Sequence, residues 1–234
     1  MVVNSNRFTA PIKSRNGKNT TSVILSAGVG YRMKSYGPKC LLKTDSGKTI
    51  LEQQIAAINF CLPKSDIIVV LGFECDKAMK VLDNKSRVVE NQCYEETNTA
   101  ESLRLALNNG VRDSVLIMHG DLSFNKETLL YCDFRKSFAI IDSQDQFKSG
   151  EVGVTINNKK ATRFGYGLET KWAQIAFFRG RELSLLKNIC RNRERQKMYT
   201  FEILNEILDS GGDIATIEPE NMVIRDIDSS RDLL

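Results

Sequence analysis

Between Val23 and Leu42 the chain reads VILSAGVGYRMKSYGPKCLL. Gly28 and Gly30 fall directly behind an apolar run, where a strand must turn. Glycine there lets backbone N–H groups converge on phosphate oxygens with no side chain in the way. Arg32 supplies a planar fork for phosphate and Lys39 a compact charge, with Pro38 stiffening the segment that presents Lys39. Such a set can hold an anion. Farther on, Met118-His-Gly-Asp121 closes a second apolar run. Ligands gather beyond the carboxyl ends of strands in open α/β sheets. A carboxylate at that place suits Mg2+, which prefers oxygen donors and often takes only one or two from protein. A third cluster runs from Asn91 to Ser102, and its Thr97, Asn98 and Ser102 offer the hydroxyls and amide that a base edge needs. The plainer reading of that cluster is an N-capped helix, since Asn98 and Glu101 already have the spacing of a capping box.

Two familiar phosphate patterns fail here. Met33 stands where the dinucleotide-binding pattern needs its third glycine. Gly47-Lys48-Thr49 has Leu42 where a P-loop needs its first glycine. A different pattern fits. Leu25-Ser-Ala-Gly-Val-Gly-Tyr-Arg-Met33, followed by Pro38-Lys39-Cys-Leu-Leu42, resembles the signature Leu-Ala-Ala-Gly-x-Gly-x-Arg-Met … Pro-Lys-x-Leu of the nucleotidyltransferase superfamily. Ser26 is a small-for-small departure from it.

The resemblance implies a set of roles. Ser26, Ala27, Gly28, Gly30 and Arg32 would hold the triphosphate of an NTP, with Lys39 by the α-phosphate. Asp121 matches the superfamily's metal aspartate. Val223-Ile-Arg-Asp-Ile-Asp228-Ser-Ser-Arg-Asp-Leu233 resembles its closing segment, which implies a second Mg2+ ligand at Asp228, with Asp226 in reserve. Thr97, Asn98 and Ser102 resemble the segment that cradles base and ribose, nearest the choline-phosphate cytidylyltransferase branch. Catalysis would rest on Lys39, Arg32 and Asp121. Glu169, Trp172 and Glu202 are candidates for the acceptor pocket, although a single Trp is as readily core and Glu202 as readily a solvated helix face. His119 reads as structural. The implied activity is Mg2+-dependent transfer of NMP from an NTP, CTP favoured, to a small phosphorylated acceptor such as phosphocholine, a phosphonate or a sugar 1-phosphate. A GT-A glycosyltransferase is the first rival, but it calls for Asp-x-Asp and the chain has Asp121-Leu-Ser123. A non-catalytic nucleotide-binding module is the second.

These residues must be positioned by elements, and the apolar pattern predicts them. Strands are expected at Ser22–Leu25, Asp66–Gly72, Ser86–Glu90, Ser114–His119 and Phe138–Ile141, alternating with helices. Thr49-Ile-Leu-Glu52 and Asn98-Thr-Ala-Glu101 both read as capping boxes that open such helices. That rhythm implies a three-layer α/β/α domain with a mostly parallel central sheet, Rossmann-like or GT-A-like. After Ile141, Val152–Asn157, Ala161–Phe164 and Trp172–Phe178 follow without helices between them, which adds antiparallel strands in the C-terminal third. Helices Arg181–Cys190 and Thr200–Leu208 come next. Residues 1–20, basic at Arg7, Lys13, Arg15 and Lys18, read as a flexible leader without the apolar core of a secretory signal. Residues 21–234 then form a single domain.

The 234 residues are 41% hydrophobic and 26% charged with a formal net charge of +4, an ordinary globular balance and too slight a basicity for a nucleic-acid partner. No run approaches the roughly 20 apolar residues of a membrane span. The six cysteines are scattered without C-x-x-C and there is one histidine, so reduced thiols and a cytoplasmic address are expected rather than zinc. The expected partners are the NTP and its acceptor, with a homodimer allowed.

Overall fold

The structure, a computed structural model, describes residues 17–30, 37–144 and 150–227. Arg32, Asp228 and residues 1–16 of the expected leader lie outside the described residues. The strands in chain order are β1 (Thr20–Ser26), β2 (Asp66–Leu71), β3 (Ser86–Glu90), β4 (Ser114–His119), β5 (Leu122–Phe124), β6 (Phe138–Asp142), β7 (Val152–Asn157), β8 (Lys160–Tyr166), β9 (Thr170–Arg179), β10 (Ala215–Ile217) and β11 (Ile224–Asp226). The helices are α1 (Ile50–Cys61), α2 (Cys75–Met79), α3 (Thr99–Leu107), α4 (Glu127–Leu130), α5 (Gly180–Arg191) and α6 (Thr200–Asp209).

The main sheet has the order β3-β2-β1-β4-β9-β6-β10-β8-β7, and β5 with β11 makes a small antiparallel ribbon beside it. Strands β3, β2, β1 and β4 are parallel, which is the Rossmann-like half. Only β9 and β8 run against the rest. β9 is not at the edge: it lies between the co-directional strands β4 and β6, antiparallel to both. The fold is thus the expected mixed α/β sheet, with its antiparallel element in the middle. β7 also pairs with the start of β9, curling the C-terminal strands back on themselves.

Alternation along β1 sets the layers. Val23 and Leu25 face a core shared with Leu103 of α3, Leu186 of α5 and Ile203 of α6. Ile24 faces the opposite core, with Leu51 and Ile58 of α1. Successive strand side chains point to opposite faces, so a strand that is apolar at every position must be covered on both. β1 starts earlier than the apolar run because Thr20 and Thr21 are buried as well, and the Thr20 and Ser114 hydroxyls bond each other at 3.0 Å.

Thr49 and Glu52 form the expected capping box: the Glu52 amide donates to Thr49 Oγ1 at 3.2 Å and the Thr49 amide to Glu52 Oε2 at 2.7 Å. The expected box at Asn98 does not form. Arg104 takes Glu101 in two bonds of 2.7 Å, and Asn98 Nδ2 donates instead to the Lys197 carbonyl at 2.8 Å. Among the described residues, no helix is long and apolar enough to cross a membrane.

Candidate active site

β1 and β4 end side by side, Leu25 opposite His119, and their carboxyl ends deliver both principal motifs to one cleft. Gly28 lines it with open space beyond: a Cβ added there would meet nothing within 4 Å. Gly30 takes φ +57°, and a Cβ on it would stand 3.1 Å from Lys39 Cγ. Glycine at 30 thus serves twice, for the left-handed turn and for the passage of the Lys39 stem. Lys39, in a short 3-10 turn behind Pro38, donates from Nζ to Asp121 Oδ2 at 3.2 Å. The two side chains are 17% and 26% exposed, accessible from the cleft but shielded enough to feel each other.

The turn that carries Asp121 is held from three directions. A Cβ on Gly120 would fall 1.7 Å from Ser26 Oγ and 3.0 Å from the Leu25 carbonyl, so the two chains can lie this close only at glycine. The Gly120 amide donates to that same carbonyl at 2.8 Å. Gln54 of α1, fully buried, donates from its one amide nitrogen to the carbonyls of His119 and Leu122, both at 2.8 Å, bracketing Gly120–Asp121. On the far side, the Ile227 amide donates to the Asp121 carbonyl at 3.0 Å and Asp226 pairs with Leu122 in the β5–β11 ribbon. Asp228 is the next residue and lies outside the described residues, so its role is not placed here. Arg32 stands likewise.

The cleft has two lobes that share Leu25, Gly28, Gly30 and Thr99. The smaller, about 170 Å3, contains Ser26, Lys39, His119 and Asp121. The larger, about 430 Å3, contains Ala27, Asn91, Tyr94, Thr97, Asn98, Ser102 and Tyr199. Asn91 organises the larger lobe: its Nδ2 donates to Thr97 Oγ1 at 3.2 Å and to Ser102 Oγ at 3.1 Å, and its Oδ1 accepts from the Cys93 amide at 3.1 Å. Thr97 Oγ1 in turn donates to the Cys93 carbonyl at 2.6 Å. A further cleft of about 310 Å3, between the carboxyl ends of α3 and α5, holds none of the sequence candidates.

His119, expected to be structural, lines the smaller lobe beside Asp121. Burial pushes its pKa down, against the pull of the Asp121 charge, and its ring meets Thr200 Oγ1 at 3.3 Å. Burial likewise pushes the Cys40 thiol up to about 12. The acceptor candidates are not brought to either lobe. Trp172 is 2% exposed, its ring edged against His119 and Phe164 at 5.9 and 5.5 Å, so it is core and not pocket lining. Strand alternation turns it inward. Glu202 is committed to the start of α6, where its Oε2 accepts from the Tyr199 amide at 2.7 Å. Glu169 is exposed between β8 and β9.

Sequence reasoning missed Gln54 and Gln174, and gave no role to Asn91 or Gly120. Gly120 lay within a quoted motif, and its neighbour Asp121 was the only signal for it. Gln54 and Gln174 gave none, because their partners are 65 and 52 residues away along the chain.

A glycine turn, a lysine and an aspartate at the carboxyl edge of the parallel half of a mixed α/β sheet stand where such sheets gather ligands. Residues 22–136 match the family described as the MobA-like NTP transferase domain. The chain is similar to the bifunctional protein GlmU of Streptococcus thermophilus, 27% identical over 209 residues that cover 81% of this chain and 45% of that protein. GlmU of Buchnera aphidicola is 27% identical over 217 residues, covering 85% of this chain and 46% of that one. The chain thus spans about half the length of the curated relatives it matches. In fold it is similar to the inositol-1-phosphate CTP transferase from T. maritima (TM-score 0.75, 16% identity, 94% of this chain and 93% of that one). It is also similar to the CTP:phosphocholine cytidylyltransferase LicC from Streptococcus pneumoniae (TM-score 0.73, 18% identity, 92% and 96%).

Proposed function

We propose that this chain transfers NMP from an NTP, CTP before the others, to a small phosphorylated acceptor and releases pyrophosphate. One observation carries the reading: Lys39 and Asp121, 82 residues apart, meet at 3.2 Å beside the open glycine turn at the carboxyl ends of β1 and β4. CTP is favoured because two of the solved structures of like fold name it in their descriptions, while the description of a third of equal likeness names glucose-1-phosphate thymidylyltransferase. The choice among phosphocholine-like, phosphonate and sugar-phosphate acceptors is left to experiment.

The acceptor's phosphate oxygen would attack the α-phosphorus in line, forming a new P–O bond as the bond from Pα to the bridging oxygen breaks and pyrophosphate leaves. A phosphate is already ionised at neutral pH, so no protein base is required, and the work is positioning and electrostatics. The amides of the Gly28–Gly30 turn, with Arg32, would hold the β- and γ-phosphates. Lys39 would sit by the α-phosphate, where charge grows. The larger lobe, with Thr97, Asn98 and Ser102 around Asn91, would take base and ribose.

The site suits Mg2+. Asp121 is an oxygen donor open to the cleft and already receives a cation, the Lys39 ammonium. Mg2+ often takes only one or two protein carboxylates and fills its shell with substrate oxygens and water, which a single accessible aspartate allows. Asp121 and Asp228 would hold it, and when bound it would neutralise charge on the triphosphate. The test is a pyrophosphate-release screen of the four NTPs against phosphocholine, aminoethylphosphonate and sugar 1-phosphates, with and without Mg2+. Release with one NTP–acceptor pair, and only with metal, is expected. Nucleotide binding without release from any pair would return the chain to the class of non-catalytic nucleotide-binding modules.

A further inference from the structure

The cleft of about 310 Å3 between the carboxyl ends of α3 and α5 has a charge pattern of its own. Its walls carry three cations, Arg104, Lys187 and Arg191, and among the described residues lining it there is no carboxylate. Lys187 and Arg191 stand four residues apart on α5, hence on one face, where like charges repel. Among the described residues neither has an ion-pair partner. Glu206 of α6 is taken by Arg195 at 2.6 Å. Arg104 gives Nε and Nη2 to Glu101, both at 2.7 Å, which leaves Nη1 for another acceptor.

Helix carboxyl ends favour cations, but that effect does not call for a cavity between them. The two ends bring about −0.5 charge each against two unpaired cations, so roughly one net positive charge faces the cleft. The floor is apolar: Leu107 and Cys190 are buried, and Val111 is half-buried beside them. Burial pushes the Cys190 thiol up to about 12, so it offers a neutral surface and not a thiolate. At the rim, Gly110 takes φ +72°, and a Cβ there would meet nothing within 4 Å. A cavity of this size, apolar with a few placed polar groups, is at the lower end of those that hold small ligands.

We propose that this cleft is a second anion site, apart from the catalytic one, for a small phosphate monoester: its phosphate meets Lys187, Arg191 and Arg104 while its apolar group rests on Leu107, Val111 and Cys190. Two unpaired cations and a spare guanidinium edge suit a dianion better than a carboxylate. The occupant bears on the nucleotide lobe, because both walls lead there. A rise of about 12 Å along α3 separates Leu107 from Thr99, which lines that lobe with Ser102. From Arg191 the chain passes through the 3-10 turn Arg193–Lys197 to Lys197 and Tyr199 in the same lobe. The two walls are joined at that end, where the Asn98 amide donates to the Gln196 carbonyl at 2.9 Å and the Ala100 amide to the Met198 carbonyl at 3.1 Å. The effect on nucleotide rests on the nucleotidyl-transfer reading, whereas the binding does not.

The experiment titrates the full chain, labelled with nitrogen-15, with phenyl phosphate and separately with inorganic phosphate, and follows backbone amides by NMR. Saturating shifts are expected at Asn108, Gly110, Val111 and Arg191, with phenyl phosphate binding at least about threefold more tightly because its ring covers the apolar floor. In the double variant Lys187→Gln/Arg191→Gln, affinity at these amides should fall at least about tenfold, as loss of charge-assisted hydrogen bonds does. Shifts at Gly28 and Gly30 should stay as in wild type. Should the double variant fail to fold, each single substitution should still weaken binding about threefold. Saturating phenyl phosphate should change the KM for NTP about fivefold or more in wild type and not in the double variant. No shift at the four cleft amides overturns the site, and so does equal affinity in wild type and variants. An unchanged KM overturns the effect on the nucleotide lobe. The nucleotidyl-transfer reading fails separately, when the wild-type chain releases no pyrophosphate from any NTP while the cleft amides still shift.

Discussion

Gly120→Ala is the sharpest perturbation the structure offers. The added methyl carbon would lie 1.7 Å from Ser26 Oγ, 2.8 Å from Ser26 Cβ and 3.0 Å from the Leu25 carbonyl oxygen. Rotating the serine side chain clears only the first contact, because the other two involve atoms fixed by the backbone of β1. Carbon atoms sit comfortably about 3.5–4.0 Å apart, so the His119–Leu122 turn must retreat by about 0.7 Å. Overpacking of this kind costs roughly 1–3 kcal/mol, or about 3–10 °C in melting temperature for a chain of this size. Asp121 rides on the displaced turn. A misplacement of about 1 Å at a catalytic group can cost about 10²-fold, so turnover should fall about 10–100-fold. Thermal unfolding and pyrophosphate release measure the two effects independently. Adding Ser26→Gly removes both serine atoms, and the double variant should recover most of the lost stability relative to Ser26→Gly alone, as contacting residues do in a double-mutant cycle. An alanine variant melting within about 1 °C of wild type with unchanged turnover would refute the packing argument. So would a deficit that the second substitution leaves untouched.

Lys39→Ala should lower kcat about 10²–10³-fold, the usual cost of losing one preorganised cationic donor, while the melting temperature shifts by only a few degrees because a part-exposed ion pair contributes about 1 kcal/mol or less. Turnover near wild type would remove Lys39 from the mechanism. Asp66 sets a pH dependence. Partial burial raises its pKa, but hydrogen bonds from Arg87, at 2.9 Å for Nε, and from Thr21 outweigh that and hold it below the ordinary 3.8. The unfolded chain therefore takes up the proton first, and the stabilisation is present above pH 3.8 and lost as pH falls through the lower folded value. Melting temperatures recorded down that acid limb should fall more steeply in wild type than in Asp66→Asn; parallel curves would show that Asp66 is not responsible.

Local chemistry was legible wherever cause and effect share a few residues. The Thr49–Glu52 capping box, the strand Ser86–Glu90 and the Gly28–Gly30 turn each follow from residue types within one or two turns of chain. The Asn98 box had the same local pattern and failed, because Arg104 and the Lys197 carbonyl offered stronger partners. Trp172 was open to either reading until burial against His119 and Phe164 settled it. The three-residue strands β5, β10 and β11 are too short for a period of two to register, yet β5 and β11 bring Asp121 and Ile227 together.

The sequence by itself determined the class of sheet, the positions of the strands of its parallel half and the residue types able to grip a phosphate. Those depend on periodicity and on glycine's lack of a side chain, both written into consecutive residues. Only the tertiary structure decided that β9 enters the middle of the sheet, that Gln54 holds the Asp121 turn, and that Gly120 must be glycine. Each of these depends on a hydrogen bond or a steric limit between residues far apart in sequence, and such contacts exist only once the chain has closed on itself.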